Sequence, residues 1–401
     1  MSSKQTQGLS AWLVFLMAFA IGITVASNYY AQPLLHSITD DLHIAVKHAG
    51  LIIMAAQFSY AVGLLFITPL GDKIERKQLI LTLMILSICG LIISAISKNL
   101  WMLVLGTAMT GLFSTVAQVL IPFAATLSRP EHRGKIVGTL MSGMLLGILL
   151  GRTFAGFVSS IADWHYVYWI ASSIMTLVTF LLWLSLPTYK NSIDINYFQL
   201  LLSIGSLYKQ EAVLRIRSLL AIISFALFSL LWTPLAFLLT DAPYHYSDFI
   251  IGLFGLAGAA GALGSPIVGK LSDQGKGWLA TSIGLTLLLA AWLPLSIAEY
   301  SLVALIFGVI LLDFAVQVTH VSNMNAIYQI RPEARSRMNT GYMVSYFIGG
   351  MLGSIASTYL YSNYGWIAII VSGTVLGFLG ILCWIYYLRT VHNPKHKAKL
   401  N

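Results

Sequence analysis

RPEHR at residues 129–133 comes back as RPEAR at residues 331–335, an offset of 202. At that same offset Gly147 and Gly151 fall opposite Gly349 and Gly353, and Trp164 falls opposite Trp366. Several matches at one spacing, each at a corresponding place in the chain, mark two parallel copies of a single unit.

What each copy is made of follows from hydropathy. The 401 residues are 58% hydrophobic and 9% charged, with a mean hydropathy of +0.82. Soluble domains carry roughly 25% charged residues, so this is an integral membrane chain. A helix needs about 20 mostly apolar residues to span a bilayer. Twelve such runs can be read, at 10–32, 48–70, 78–96, 101–127, 134–160, 164–187, 215–240, 249–271, 278–297, 301–329, 336–361 and 364–388. They are continuous rather than alternating, which argues against a transmembrane β-barrel. The first run exceeds twenty residues and no A-x-A-like site follows it, so it is read as a retained span rather than a signal peptide. The expected architecture is all-α, with six spans in 1–187, a linker at 188–214 and six spans in 215–401. The apolar centre of that linker is read as a short amphipathic helix lying on the membrane.

Lysine and arginine collect on the cytoplasmic side of short loops. With the amino terminus inside, the inside segments hold Lys4; Lys73, Arg76 and Lys77; Arg129, Arg133 and Lys135; Lys190, Lys209, Arg215 and Arg217; Lys270 and Lys276; Arg331, Arg335 and Arg337; and Arg389, Lys395, Lys397 and Lys399. That is 20 of 23 basic residues, against Lys47 and Lys98 outside and Arg152 within span five. The net charge of +9 therefore reflects orientation and calls for no nucleic-acid partner. Both termini are predicted cytoplasmic.

TPLGDKIERK at 68–77 and GKLSDQGK at 269–276 place an aspartate and then basic residues after spans two and eight, with Asp72 and Asp273 201 residues apart. With these loops the chain resembles the major facilitator superfamily over essentially its whole length, whose loop pattern is G-x-L-x-D-R-x-G-R-R. Gly71, Asp72, Arg76 and Lys77, with Gly269 and Asp273, are the matching residues. NYYAQPLL at 28–35, GILLGRTFAG at 147–156 and LLDFAVQVTHVSN at 311–323, followed by RPEARSRMNTGYMVSYFIGG, are similar to exporters of the drug and arabinose-efflux branch. Three departures stand out. Thr68 and Glu75 occupy glycine positions of the loop, Thr107 stands where many proton-coupled relatives have arginine, and Ile148 follows Gly147 where the antiporter pattern has proline.

Polar residues inside spans carry the functional reading. At about 100° per residue, Gln317 and His320 lie roughly 40° and 20° from Asp313, so the three share a face of span ten. An aspartate at bilayer depth costs about 2.5–3.5 kcal/mol on insertion scales and is tolerated where it meets a cavity or a partner. Dry surroundings favour the protonated carboxyl and a nearby cation the carboxylate, so a site alternating between them can load and release a proton. His320 is placed to relay it. Arg152, the only base inside a span, lies about 7 Å beyond the middle of span five, at the depth expected for Asp313, and is the candidate partner. Snorkelling of Arg152 to the headgroups, or a permanently neutral Asp313, are the structural alternatives.

The resemblance implies that spans one, four, seven and ten line a central cavity. In this chain they bring Asn28, Tyr29, Tyr30, Gln32, Gln118, Trp232, Thr233 and Gln317 to it. Aromatics and amides without an arginine or lysine cluster suit an uncharged or cationic amphipathic compound better than a phosphorylated one. Gly143, Gly147 and Gly151 of span five, with Gly258 and Gly261 of span eight, are the expected gating glycines, since small residues let backbones approach. The glycine run at 255–264 has no preceding strand and is not a dinucleotide site. There is no P-loop, no H-E-x-x-H and no paired-cysteine metal site, so no cofactor is expected. The expected activity is proton-coupled export of a small molecule by a monomer in a bacterial inner membrane. Uptake by symport is the alternative, and a membrane enzyme or scaffold a weaker one.

Overall fold

A computed structural model describes residues 9–129, 131–189, 197–258, 264–331 and 334–390. Gly261, Lys190, both chain ends and the side chains of Asp72 and Asp273 lie outside that description. The chain is all-helical. The first half holds α1 Ala11–Ala26, α2 Ala31–Asp41, α3 Val46–Phe66, α4 Arg76–Ala95, α5 Leu100–Phe113, α6 Val116–Leu127, α7 Arg133–Ile161 and α8 His165–Ser185. Then come α9 Tyr197–Gln210, α10 Ala212–Trp232, α11 Leu235–Thr240, α12 Asp248–Leu253, a 3₁₀ turn Phe254–Gly258, and α13 Gly264–Asp273. The chain ends with α14 Gly277–Ala290, α15 Trp292–Leu295, α16 Leu302–Tyr328 and α17 Arg335–Thr390.

Among the described residues nine helices are long and apolar enough to cross a membrane, or ten if the bent pair α1 and α2 counts as one. One of the nine, α17, runs 56 residues but breaks at Gly365, whose φ of 69° suits a residue without Cβ. The chain reverses there. Before the break Gly349 and Gly353 climb along α10 beside Ile222 and Ala226; after it, Gly380 and Tyr387 descend past Ile223 and Arg217.

Prolines set the other breaks. Each lacks an amide hydrogen and crowds the carbonyl four residues earlier. Pro33 does this to Tyr29, and the first span, expected at 10–32, bends by 41° across residues 27–30 and runs on to Asp41. Pro234 separates α10 from α11, and Pro122 follows the interruption between α5 and α6.

The repeated stretch has a structural counterpart. Arg133 Nε donates to the carbonyl of Ala125 at 3.0 Å, and Arg335 Nε to that of Tyr328 at 3.0 Å. Each closing arginine thus satisfies a carbonyl at the end of the preceding span, where a helix leaves acceptors unmet. Deeper in, added Cβ atoms at Gly147 and Gly151 would meet Gly22 and Ala26 of α1, while at Gly349 and Gly353 they would meet Ile222 and Ala226 of α10.

A guanidinium also fills the corresponding junction in each half. Arg76 Nε donates to the Gly71 carbonyl at 3.1 Å and its Nη1 to Thr126 Oγ1 at 3.1 Å, under the rings of Phe123 and Tyr189. Glu75, at a glycine position of the family loop, caps α4 by accepting from the amides of Lys77 and Gln78, and takes the Tyr189 amide too. In the second half Arg217 comes from α10, with Nη1 on Thr281 Oγ1 at 2.7 Å and Asn323 Oδ1 at 3.0 Å, and its charge over Trp384 at 4.6 Å. Counted with the inside segments and lying at the start of the run expected at 215–240, it is 4% exposed. The linker helix α9 docks through Tyr208, whose hydroxyl donates to the Gly341 carbonyl at 2.9 Å, while the Tyr197 hydroxyl donates to the Phe66 carbonyl at 2.6 Å.

Arg217→Ala deletes two charge-assisted hydrogen bonds and a desolvated cation–π contact, each worth about 1.5–3 kcal/mol. It should lower the melting temperature of the detergent-solubilised protein by several degrees more than Arg335→Ala, whose single bond is exposed. Equal shifts in a thermal unfolding assay would show that the buried junction adds nothing.

Candidate functional site

The three helix breaks converge. Asn28, in the break between α1 and α2, donates through Nδ2 to Ser114 Oγ at 2.8 Å, in the break between α5 and α6. From α2, Gln32 turns its Oε1 to Arg152 Nε at 2.6 Å. The guanidinium lies under three rings, at 4.8 Å from the centroid of Tyr29, 5.5 Å from Phe228 and 4.2 Å from Trp232. Arg152 is 2% exposed and its Nη2 is buried without a hydrogen-bond partner.

Trp232, the last residue of α10 before its proline break, touches both charges. Its face is under Arg152 and its Nε1 donates to Asp313 Oδ1 at 2.9 Å. Asp313 is 7% exposed, and Gly258 faces its Oδ2 closely enough that an added Cβ would sit 3.2 Å away. Among the described residues no ion pair joins Arg152 to Asp313. The acid and the base meet the same indole instead of each other. Snorkelling is ruled out for Arg152 in this arrangement, since the guanidinium is enclosed by residues of both halves.

His320 continues toward the basic face. Its Nδ1 lies 3.1 Å from the Tyr342 hydroxyl, and its ring is 4.7 Å from that of Tyr346, which stacks on Phe225 at 4.0 Å. Gln118 Nε2 donates to the Tyr60 hydroxyl at 3.4 Å, and Tyr60 packs on Phe347 at 4.5 Å. Gln317 is half-buried on the Asp313 face of α16. Thr233 is fully buried, its hydroxyl unpaired. Tyr30 stands apart, among Phe154 and Tyr168 of the first half. Gly143, Gly147 and Gly151 meet Ala18, Gly22 and Ala26 of α1; the seam between α7 and span eight uses Gly156, Gly252, Gly255 and Gly258. In the loop motif, Gly71 supplies its carbonyl to Arg76, Lys77 its amide to Glu75, and Gly269 has open space about it.

Sequence reasoning missed Tyr342, Tyr346 and Asp248. The tyrosines were visible only as family-like text at 331–350. Asp248 falls one residue ahead of the run at 249–271, and its Oδ2 accepts from Ser37 Oγ and Ser159 Oγ, both at 2.6 Å. It holds α2 and α7 against the start of α12. On the same face Thr358 Oγ1 donates to the Lys47 carbonyl at 3.3 Å, and Gly50 is pressed against Ser354. Toward the basic face the helices part: added Cβ atoms at Gly134, Gly138 and Gly269 would meet nothing within 4 Å. Among the described residues the contacts named between the halves lie at the face opposite the basic loops.

A membrane-embedded bundle of paired helical halves around a buried acid and a buried base has the architecture of a secondary transporter. The Major Facilitator Superfamily profile matches residues 14–330 and 218–401, and the chain belongs to that family of transporters, not to an enzyme class. It is 48% identical over 382 residues, 95% of this chain and 97% of the other, to the uncharacterized transporter YgaY of Escherichia coli O157:H7. It is 24% identical over 405 residues, covering 98% of both chains, to the probable sugar efflux transporter of Helicobacter pylori strain 26695. Among solved structures it is similar to a bacterial homolog of the human lysosomal transporter Spinster in an inward-facing, occupied conformation, with a TM-score of 0.74, 13% identity, and 94% and 97% of the two chains covered. The chain is a multi-pass membrane protein.

Asp248→Ala removes the acceptor shared by Ser37 and Ser159. It should raise the labelling rate of a cysteine at Ser159 by membrane-impermeant thiol reagents at least several-fold, because the remaining ties of α12 to α7 are the Thr153 hydroxyl on the Gly252 carbonyl, the Phe157–Phe249 ring contact and glycine packing. An unchanged rate would show that those contacts keep that face shut without the carboxylate.

Proposed function

We propose that this chain is a proton-coupled exporter of a small, uncharged or cationic amphipathic compound, working as a monomer in a bacterial inner membrane. Twelve spans form two six-helix bundles, 1–187 and 215–401, joined by the linker 188–214, with both termini in the cytoplasm. The basic-residue bias supports that orientation, and the efflux relative at 24% identity supports the direction. The contacts between the halves at the face opposite the basic loops support reading this arrangement as a state open to the cytoplasm.

The observation that carries the reading is a carboxylate of span ten held by one indole N–H, with a guanidinium of the other half on the face of that same indole. Among the described residues neither charge has an ion-pair partner, so each offsets its desolvation through weaker contacts. Protonating Asp313 removes its attraction for Trp232 and for the field of Arg152, and frees the seam between α7, α10 and α16 to shift. Deprotonation from the other side restores it. His320 and Tyr342 extend the polar path toward the basic face. Substrate occupies the aromatic and amide-lined space beside Gln118, Gln317 and Tyr346.

In proteoliposomes with an imposed pH gradient, Asp313→Asn should lose gradient-driven flux at least tenfold while retaining gradient-independent counterflow. Trp232→Phe keeps a ring under Arg152 but deletes the donor to Asp313, and should move the pH dependence of flux without abolishing it. Arg152→Ala combined with Asp313→Asn should depart from additivity by about 0.5–3 kcal/mol, the range for residues sharing one partner. Wild-type flux indifferent to the gradient would overturn the coupling.

A further inference from the structure

On the lipid-facing side of the first half lies a groove of about 460 Å³ that the transport cycle above does not use. One wall is α1, where Trp12, Phe15 and Phe19 form a ladder of rings at 6.0 and 6.2 Å spacing. The other wall is α7, with Leu146 and Leu150 exposed, and the floor is the crossing of Gly22 with Gly143 and Gly147. The closed end is Tyr30 with Phe154.

We propose that this groove binds one acyl chain of an anionic phospholipid from the leaflet at the basic face. Three observations converge on that occupant. The first is length: from Phe15 to Ala26 the groove follows twelve residues of α1, eleven steps or about 16.5 Å at 1.5 Å per residue. That is close to half of the roughly 30 Å hydrocarbon core, the depth of a single leaflet. The second is need, because the most hydropathic window of α7 is only 28% buried within the protein, the lowest value among the described spans. Its apolar surface must be covered by something apolar. The third is charge. Lys135, Thr139, Ser142, Leu146 and Leu150 fall on one face of α7 at steps of three and four residues. Thr139 Oγ1 even donates to the Lys135 carbonyl at 3.0 Å. The groove line therefore ends at an exposed lysine in the first turn of a 29-residue helix, beside Arg133. An anionic headgroup there meets two cations and the positive end of the helix. Thr139 and Ser142 spend their hydroxyl hydrogens on carbonyls of α7, so the groove offers its occupant little but apolar contact.

The proposal requires only that the chain spans a bilayer, and its test is independent of transport. Full-length protein in nanodiscs of phosphatidylcholine and phosphatidylglycerol at 3:1 is irradiated with a trace of phosphatidylglycerol carrying a diazirine at the acyl terminus. Labelled peptides are then mapped by mass spectrometry. Labelling should concentrate on residues 15–26 and 139–154, well above the ordinary lipid-facing stretch of α8 around Phe180 and Leu184. Ser142→Trp, which fills the groove from an exposed position, should cut that labelling at least tenfold; Leu150→Trp is the second variant should the first fail to fold. Lys135→Glu should lower labelling by the phosphatidylglycerol probe and leave that by a phosphatidylcholine probe unchanged. Labelling no higher than on α8, or insensitive to both tryptophans, overturns the site. Equal labelling by the two probes overturns the headgroup preference. Cross-linking of residues 139–154 to a second copy of the chain would make the groove an interface between copies, and would overturn the lipid assignment.

Discussion

A guanidinium buried between the membrane-spanning helices, with no carboxylate in contact among the described residues, is the condition on which the arrangement of this protein turns. Arg152 keeps its charge at that depth through the Gln32 oxygen and through three aromatic faces, two of them from the opposite half. Those contacts exist only while the halves stay in register at that level. The same indole that shelters the base also donates to the acid. The indole therefore links α16, α10 and α7 through the two charges.

Helix breaks make the register possible. A continuous helix offers no backbone polarity to its neighbours, and prolines at 33, 122 and 234 interrupt those that meet at the site. Asn28 and Ser114 join two of the interruptions, and Trp232 stands at the third. Above this layer Asp248, Ser37 and Ser159 close the seam, and below it α7 and span eight diverge. The charged layer thus lies beneath the closed seam, buried between the two halves.

The two halves reuse one packing solution with different residues. Glycines at 147 and 349 press on the first helix of their own half, and arginines at 133 and 335 satisfy the end of the preceding span. The junction plugged by Arg76 is plugged in the second copy by Arg217, brought from another helix. What duplication preserved was a place for a guanidinium, not its position in the chain.

The sequence alone determined that this is a membrane chain of apolar helices, doubled at an offset of 202, because bilayer thickness and backbone hydrogen bonding leave few other solutions. It also singled out Asp313 and Arg152, since charge inside a span is costly wherever the span is placed. Only the tertiary structure decided that Trp232 stands between them, that Tyr30 faces away, that the span-five glycines serve α1, and that Asp248 belongs to a seam. Helical periodicity tells which residues of one helix share a face. It does not tell which neighbour that face meets, because the crossing of two helices depends on side chains distant in sequence.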